Sequence, residues 1–164
     1  FVTKHNLTEK AVWGVVNDTV PASVADQTKA VLRANPDISV IFTPWDEFAK
    51  GVKLAIDELG LSQQVKIYGV DISTADIQLM VEPDSAWAAT AATNAAVVGE
   101  VSVRAVSLAI AGQSPGQSVL LQPTLITRDD LTGNDIKTIE DLQQKFPAFL
   151  KSDAATASWI PAAK

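Results

Sequence analysis

Four short polar clusters stand where ligand chemistry could sit: Asn17-Asp18-Thr19, Thr43-Pro44-Trp45-Asp46, Gly69-Val70-Asp71 and Thr93-Asn94. Each comes after an apolar stretch of strand length. Together they offer carboxylates, amides, hydroxyls and one indole. A carboxylate can accept hydrogen bonds from two neighbouring hydroxyls, and an aromatic face packs on the C–H face of a sugar ring. That set suits a neutral, hydroxyl-rich small molecule. Each residue also has a structural alternative. Asp46 and Asn94 precede helices and could cap them, and Asn17 and Asp18 could make an Asx turn. Asp71 is freer, because Ser73 and Thr74 can cap the next short helix. Trp45 could pack a core or hinge, and Trp13 and Trp87, inside apolar runs, read as core.

Composition narrows the chemistry. The chain has 164 residues, 47% hydrophobic and 20% charged, enough for one domain with a true core. Thirteen basic against nineteen acidic side chains leave a net charge of −6. An acidic chain is a poor ligand for polyanions, so nucleic acid is not an expected partner. No apolar run reaches the ~20 residues of a membrane span. Cysteine is absent and His5 is the single histidine. Thiolate sites, disulfides and paired-histidine metal sites are therefore excluded, and neither a metal nor a cofactor is expected. No GxSxG elbow, P-loop or GxGxxG occurs. Asp46 and Asp71 could make a carboxylate pair for glycoside hydrolysis, but nothing in the sequence marks either as the acid. No enzyme activity and no catalytic residue is expected.

The elements that must position these clusters alternate. Residues 12–17 (VWGVVN), 38–43 (ISVIFT), 65–70 (VKIYGV) and 86–92 (AWAATAA) read as strands. Helices are expected over 23–34, from Pro44 to Leu59, over 75–80 and over about 94–111. Gly60 and Gly112 close two of them. Residues 119–126 could be a further strand, though Pro123 argues against a central place, and 136–150 reads as a helix interrupted by Pro147. Residues 152–164 are expected to be loosely ordered. Strand and helix in alternation with short links predict an α/β fold, a parallel sheet in a three-layer sandwich. In such sheets ligands bind beyond the carboxyl ends of the strands, where the four clusters fall. One common hollow holding Trp45 and Asp71 is the expectation.

The stretches ANPDISVIFTPWDEFAKGVKLAIDELGL, VKIYGVDISTADIQLM and SAWAATAATNAAVVGEVSVRAVSLAIAGQ, in that order, resemble the C-terminal lobe of type I periplasmic solute-binding proteins of the ribose- and galactose-binding kind. The resemblance runs from about Val12 to Arg128. It implies one lobe of a Venus-flytrap fold and the substrate-binding component of an ABC importer. Such a component holds a sugar or polyol between two lobes and delivers it to the permease subunits. It also implies a periplasmic or extracellular protein, exported behind a leader that this chain does not carry. The same lobe occurs as the ligand-sensing domain of lactose-repressor-type regulators, which is the alternative.

By the resemblance, Asp71 matches the family aspartate that binds sugar hydroxyls, and Asp46 the aspartate of an Asn-Asp pair. Trp45 stands where the family carries a ligand-binding asparagine. Thr93 stands where it carries Gln or Asn, with Asn94 beside it, and the Asn17–Pro21 loop matches a region that reaches the cleft in some members. Residues 1–128 are then most of the C-terminal lobe and 129–164 a helical, partly disordered tail, with the N-terminal lobe absent. Such a piece should expose apolar surface, which dimerisation could cover.

Overall fold

The computed structural model describes residues 3–114, 116 and 118–160. Helix α1 spans Val20–Ala34. It begins earlier than the sequence pattern predicts, because Pro21 lies in the first turn, where a missing N–H costs nothing. Strand β1 (Val40–Phe42) leads into α2 (Asp46–Leu59). Gly60, in the left-handed region at φ +69°, ends that helix, with its N–H turned back to Ile56 and Asp57 carbonyls. Then come β2 (Lys66–Val70), α3 (Thr74–Val81), β3 (Trp87–Ala92) and α4 (Ala95–Ile110).

The sheet runs in the order β1-β2-β3-β4. Its first three strands are parallel, as expected, and β4 (Thr124–Thr127) adds an antiparallel edge. Pro123 immediately precedes that edge strand, where it interrupts no ladder. Residues 12–17 are not a strand. The segment lies on helices instead: the Trp13 indole donates to Thr28 Oγ1 at 2.9 Å and the Gly14 N–H to Gln27 Oε1 at 3.2 Å. Val12, Val15 and Val16 are exposed. A β-branched run becomes a strand only beside a partner edge, and among the described residues β1 is paired on one side, with β2 alone.

Two helices differ from the sequence expectation. Helix α5 (Arg128–Gly133) was not expected; its start is a capping box in which Thr127 and Asp130 each hold the other's backbone N–H. The helix expected over 136–150 is a shorter α6 (Ile139–Lys145) succeeded by a 3-10 turn, Pro147–Leu150. Leu131, Ile136, Leu142 and Phe149 from this C-terminal part join the same core as Val24, Val52, Ile67 and Ile126. Of the tail, residues 161–164 lie outside the described residues. Within 152–160, Arg104 donates to the Ser152 carbonyl and the Trp159 indole to Gln113.

Trp87 is fully buried, as its place in a strand suggested, whereas Trp13 is half-buried. The faces of the sheet differ. Ile41, Ile67 and Trp87 point into the core, while Val40, Phe42 and Tyr68 are 56%, 67% and 44% exposed. One face of the sheet thus carries exposed apolar side chains.

Helices α1 and α2 pack closely because of Gly51. A Cβ at that position would stand 2.4 Å from the Pro21 carbonyl oxygen and 2.9 Å from Val24 Cβ. The obstacle is backbone and cannot rotate away. Gly51→Ala should therefore destabilise by about 1–3 kcal/mol despite the better helix propensity of alanine. Thermal denaturation checks this; an unchanged or higher melting temperature would show that the helices separate freely.

Candidate functional site

The carboxyl ends of β1, β2 and β3 emerge side by side. Phe42 is level with Tyr68, and Val70 with Ala91. The ladder continues one step past the strands, the Thr43 N–H donating to the Tyr68 carbonyl at 2.9 Å and the Asp71 N–H to the Ala91 carbonyl at 3.1 Å. Pro44-Trp45-Asp46, Asp71 and Thr93-Asn94 therefore leave neighbouring strands at one edge of the sheet.

Asp71 is held by its backbone. Its carbonyl accepts from Thr90 Oγ1 at 2.7 Å, and its φ is +72°, a conformation that few residues besides Gly, Asn and Asp adopt. Ser73, as its position suggested, caps α3 in a reciprocal box with Asp76. Among the described residues no hydrogen bond or ion pair engages the half-buried Asp71 carboxylate. It keeps its acceptor capacity for something else.

Trp45 precedes α2 without capping it. Its ring is half-buried and meets Phe48 edge to face, centroids 5.8 Å apart at 75°. Phe48 in turn lies against Gly14, whose Cβ would stand 2.7 Å from its ring. This brings the segment before α1 to the N-terminal end of α2. Asn17 in that segment is exposed and makes the Asx turn, its Oδ1 accepting from the Thr19 N–H at 2.9 Å. Asn94 caps α4, its Oδ1 accepting from the Ala96 N–H at 2.9 Å. With Thr93, Val97, Gln122 and Phe149 it lines a hollow of about 450 Å³. The lining of that hollow does not include Trp45, Asp46 or Asp71. The edge thus holds two groups: Trp45, Asp46 and Asp71 along β1 and β2, and Thr93 with Asn94 in the hollow beyond β3.

Beneath the edge, Thr43 Oγ1 and Trp87 Nε1 are buried without a hydrogen-bond partner among the described residues. Gly69 makes room for both, since its Cβ would stand 3.0 Å from Trp87 Nε1 and 3.4 Å from Thr43 Oγ1.

Asp46 is the first residue of α2 and not its N-cap, and its Oδ1 accepts from the Glu47 N–H of the first turn at 2.9 Å. Two residues that the sequence pattern did not single out surround it. Lys50 Nζ lies 3.7 Å from Asp46 Oδ2 and 3.3 Å from Asp76 Oδ1, and also pairs with Glu47. The i, i+4 spacing of Asp46 and Lys50 is visible in the sequence; the approach of Asp76 is a tertiary contact. Burial pushes the Asp46 carboxyl up to about 6, and the facing Asp76 carboxylate adds to the rise, while Lys50 opposes it. Burial also works against the Lys50 charge, but Glu47, Asp76 and Asp46 outweigh it and raise the Lys50 pKa.

Residues 5–114 match the family described as periplasmic binding protein domain. The chain belongs to that family. Among solved structures, the domain superposes on the 5-methylthioribose transporter solute binding protein from Thermotoga lettingae, in complex with 5-methylthioribose, at 34% identity and a TM-score of 0.86, covering 94% of this chain and 49% of that one. A sugar ABC transporter protein from Yersinia enterocolitica matches at 28% identity and 0.84, covering 96% and 48%. An ABC transporter solute binding protein from Agrobacterium vitis with bound allitol shares the fold, at 24% identity and 0.68, over 77% and 44%. The domain therefore spans about half the length of these relatives. No curated protein sequence matches it.

Asp46 makes a pH profile predictable. Its carboxyl sits near 6 when folded and near 3.8 when free, so the folded domain binds the extra proton between those values. Stability should fall as pH rises from about 4 to 6. Asp37 and Asp141, held below 3.8 by hydrogen bonds from Lys10 and from the Lys137 backbone respectively, lose their contributions only at lower pH. The melting temperature should be higher at pH 5 than at pH 7, and Asp46→Asn should flatten that difference. A parent profile that is level across the window would contradict the assigned environment.

Proposed function

We propose that this chain is one lobe of the substrate-binding component of an ABC importer, which takes a sugar or polyol between two lobes and presents it to the permease. The observation that carries the reading is the free Asp71 carboxylate, on the same carboxyl edge from which the Trp45 loop leaves, in a sheet whose solved relatives are sugar-transport proteins. An anionic acceptor and an indole face at one edge suit a neutral polyol, and hinge closure over the edge would bury it. Thr93, Asn94 and Asn17 are the peripheral contacts in this reading. The Thermotoga relative's 5-methylthioribose makes that thio-sugar a first compound to try; a methylthio group would pack well on the Trp45 ring.

The reading makes the protein a carrier and not an enzyme. Asp46, one half of the conceivable hydrolase pair, turns to Lys50 and Asp76. It also places the protein outside the cytoplasm, exported to the periplasm. The regulator alternative has less behind it, since the named relatives are transport proteins.

Calorimetry on the full-length protein with 5-methylthioribose, D-ribose and allitol tests this. At least one should bind. Asp71→Asn keeps a residue that tolerates the left-handed backbone and removes the charge, at an expected cost of about 1.5–3 kcal/mol in affinity. Trp45→Ala should also weaken binding. Parent-like affinity in Asp71→Asn would refute the site.

A further inference from the structure

The Lys50 cluster joins the two loops that carry Trp45 and Asp71. Asp46 adjoins Trp45 at the start of α2, and Lys50 is one turn further along that helix. Asp76 belongs to the capping box that starts α3, just beyond the turn begun by Asp71 and Ile72. Its two oxygens have different tasks. Oδ2 accepts from the Ser73 N–H at 2.6 Å, and Oδ1 faces Lys50 Nζ at 3.3 Å. Asp76 is fully buried, and among the described residues its Oδ1 accepts no hydrogen bond. Lys50 meets its charge, but a buried carboxylate oxygen without a hydrogen bond keeps capacity for a donor.

We propose that Asp46, Lys50 and Asp76 form a proton-operated clasp between the loop after β1 and the loop after β2. When Asp46 is ionised, three carboxylates surround one ammonium, and the like charges of α2 and α3 push the loops apart. When Asp46 takes a proton, its O–H donates to Asp76 Oδ1, an oxygen that Lys50 faces but no hydrogen bond reaches, and the loops are joined by a hydrogen bond. The charged groups that face Asp46 are Lys50 and Glu47 from α2 and Asp76 from α3. The elevated position of the Asp46 carboxyl, near 6, puts the change within reach of mild acidification. If, as proposed above, Trp45 and Asp71 contact the sugar, the clasp sets how well they are aligned, and Asp46 and Asp76 are positioning residues for the ligand.

Amide hydrogen exchange on the full-length protein without ligand reads the clasp directly. After correction for intrinsic rates, protection over residues 44–48 and 71–76 should rise from pH 7.5 to pH 5, by roughly tenfold for each unit that closure shifts the Asp46 carboxyl. Asp46→Asn supplies an N–H donor at every pH and should show high protection throughout. Asp46→Ala supplies none and should show low protection throughout. Level protection in the parent, or Asn and Ala variants alike, would overturn the clasp. Calorimetry with 5-methylthioribose at the two pH values reads its consequence. Affinity should increase on acidification in the parent and stay level in Asp46→Asn, and an unchanged parent affinity would overturn the positioning role. Failure of that sugar, D-ribose and allitol alike to bind would sink the proposed function, while the ligand-free exchange still decides the clasp.

Discussion

The structure depends on the parallel ladder of β1, β2 and β3 running one residue past the strands. The bonds from Thr43 N–H to Tyr68 and from Asp71 N–H to Ala91 fix where each chain leaves the sheet. Parallel strands end together, so three separate sequence segments surface at one edge with a spacing set by the ladder, close to about 4.8 Å per strand. The clusters Trp45-Asp46, Asp71 and Thr93-Asn94 are placed by this arrangement. The Asp71 carbonyl bond from Thr90 and its left-handed backbone fix the main chain there, and Ser73 takes the cap of α3.

The core below keeps the edge in place. Gly51 lets the α1 backbone lie on α2, and Gly69 lets the Trp87 indole lie under the strand ends. At Gly51 a methyl group would meet the Pro21 backbone, and at Gly69 it would crowd the Trp87 indole. Helix α2 is further tied to α3 at two levels, through Lys50 to Asp76 and through the buried Lys53 to Glu82. Arg128 closes the far end of α3 by donating to the Met80 and Glu82 carbonyls, a cationic cap at a helix C-terminus. The tension lies at the near end. There, burial of Asp46 beside Asp76 leaves more negative than positive charge in a half-buried site, and the proton is the mobile species that can relieve it.

Much of this was legible in the amino-acid sequence. The apolar runs of β1, β2 and β3, the one-faced pattern of α2, the stop at Gly60 and the Ser73 cap all come from local rules of periodicity and capping, which need no knowledge of the rest of the chain. So does the gathering of polar clusters at strand ends, once a parallel sheet is assumed. What local rules could not decide was which segments find partners. The run at 12–17 has strand chemistry, yet Trp13 anchors it to α1 through Thr28. The same holds for Asp46, whose sequence neighbours describe a helix cap, but whose environment is made by Asp76, far along the chain and across a helix–helix contact. The hollow beyond β3 likewise needs Gln122 and Phe149, which only the antiparallel return of β4 and the packing of the C-terminal turns bring to Asn94. Residue types and short spacings determined the elements and the kind of ligand chemistry on offer. Burial and electrostatic contacts between distant segments, which exist only once the chain is folded, decided which carboxylate stays free and which one has its pKa raised.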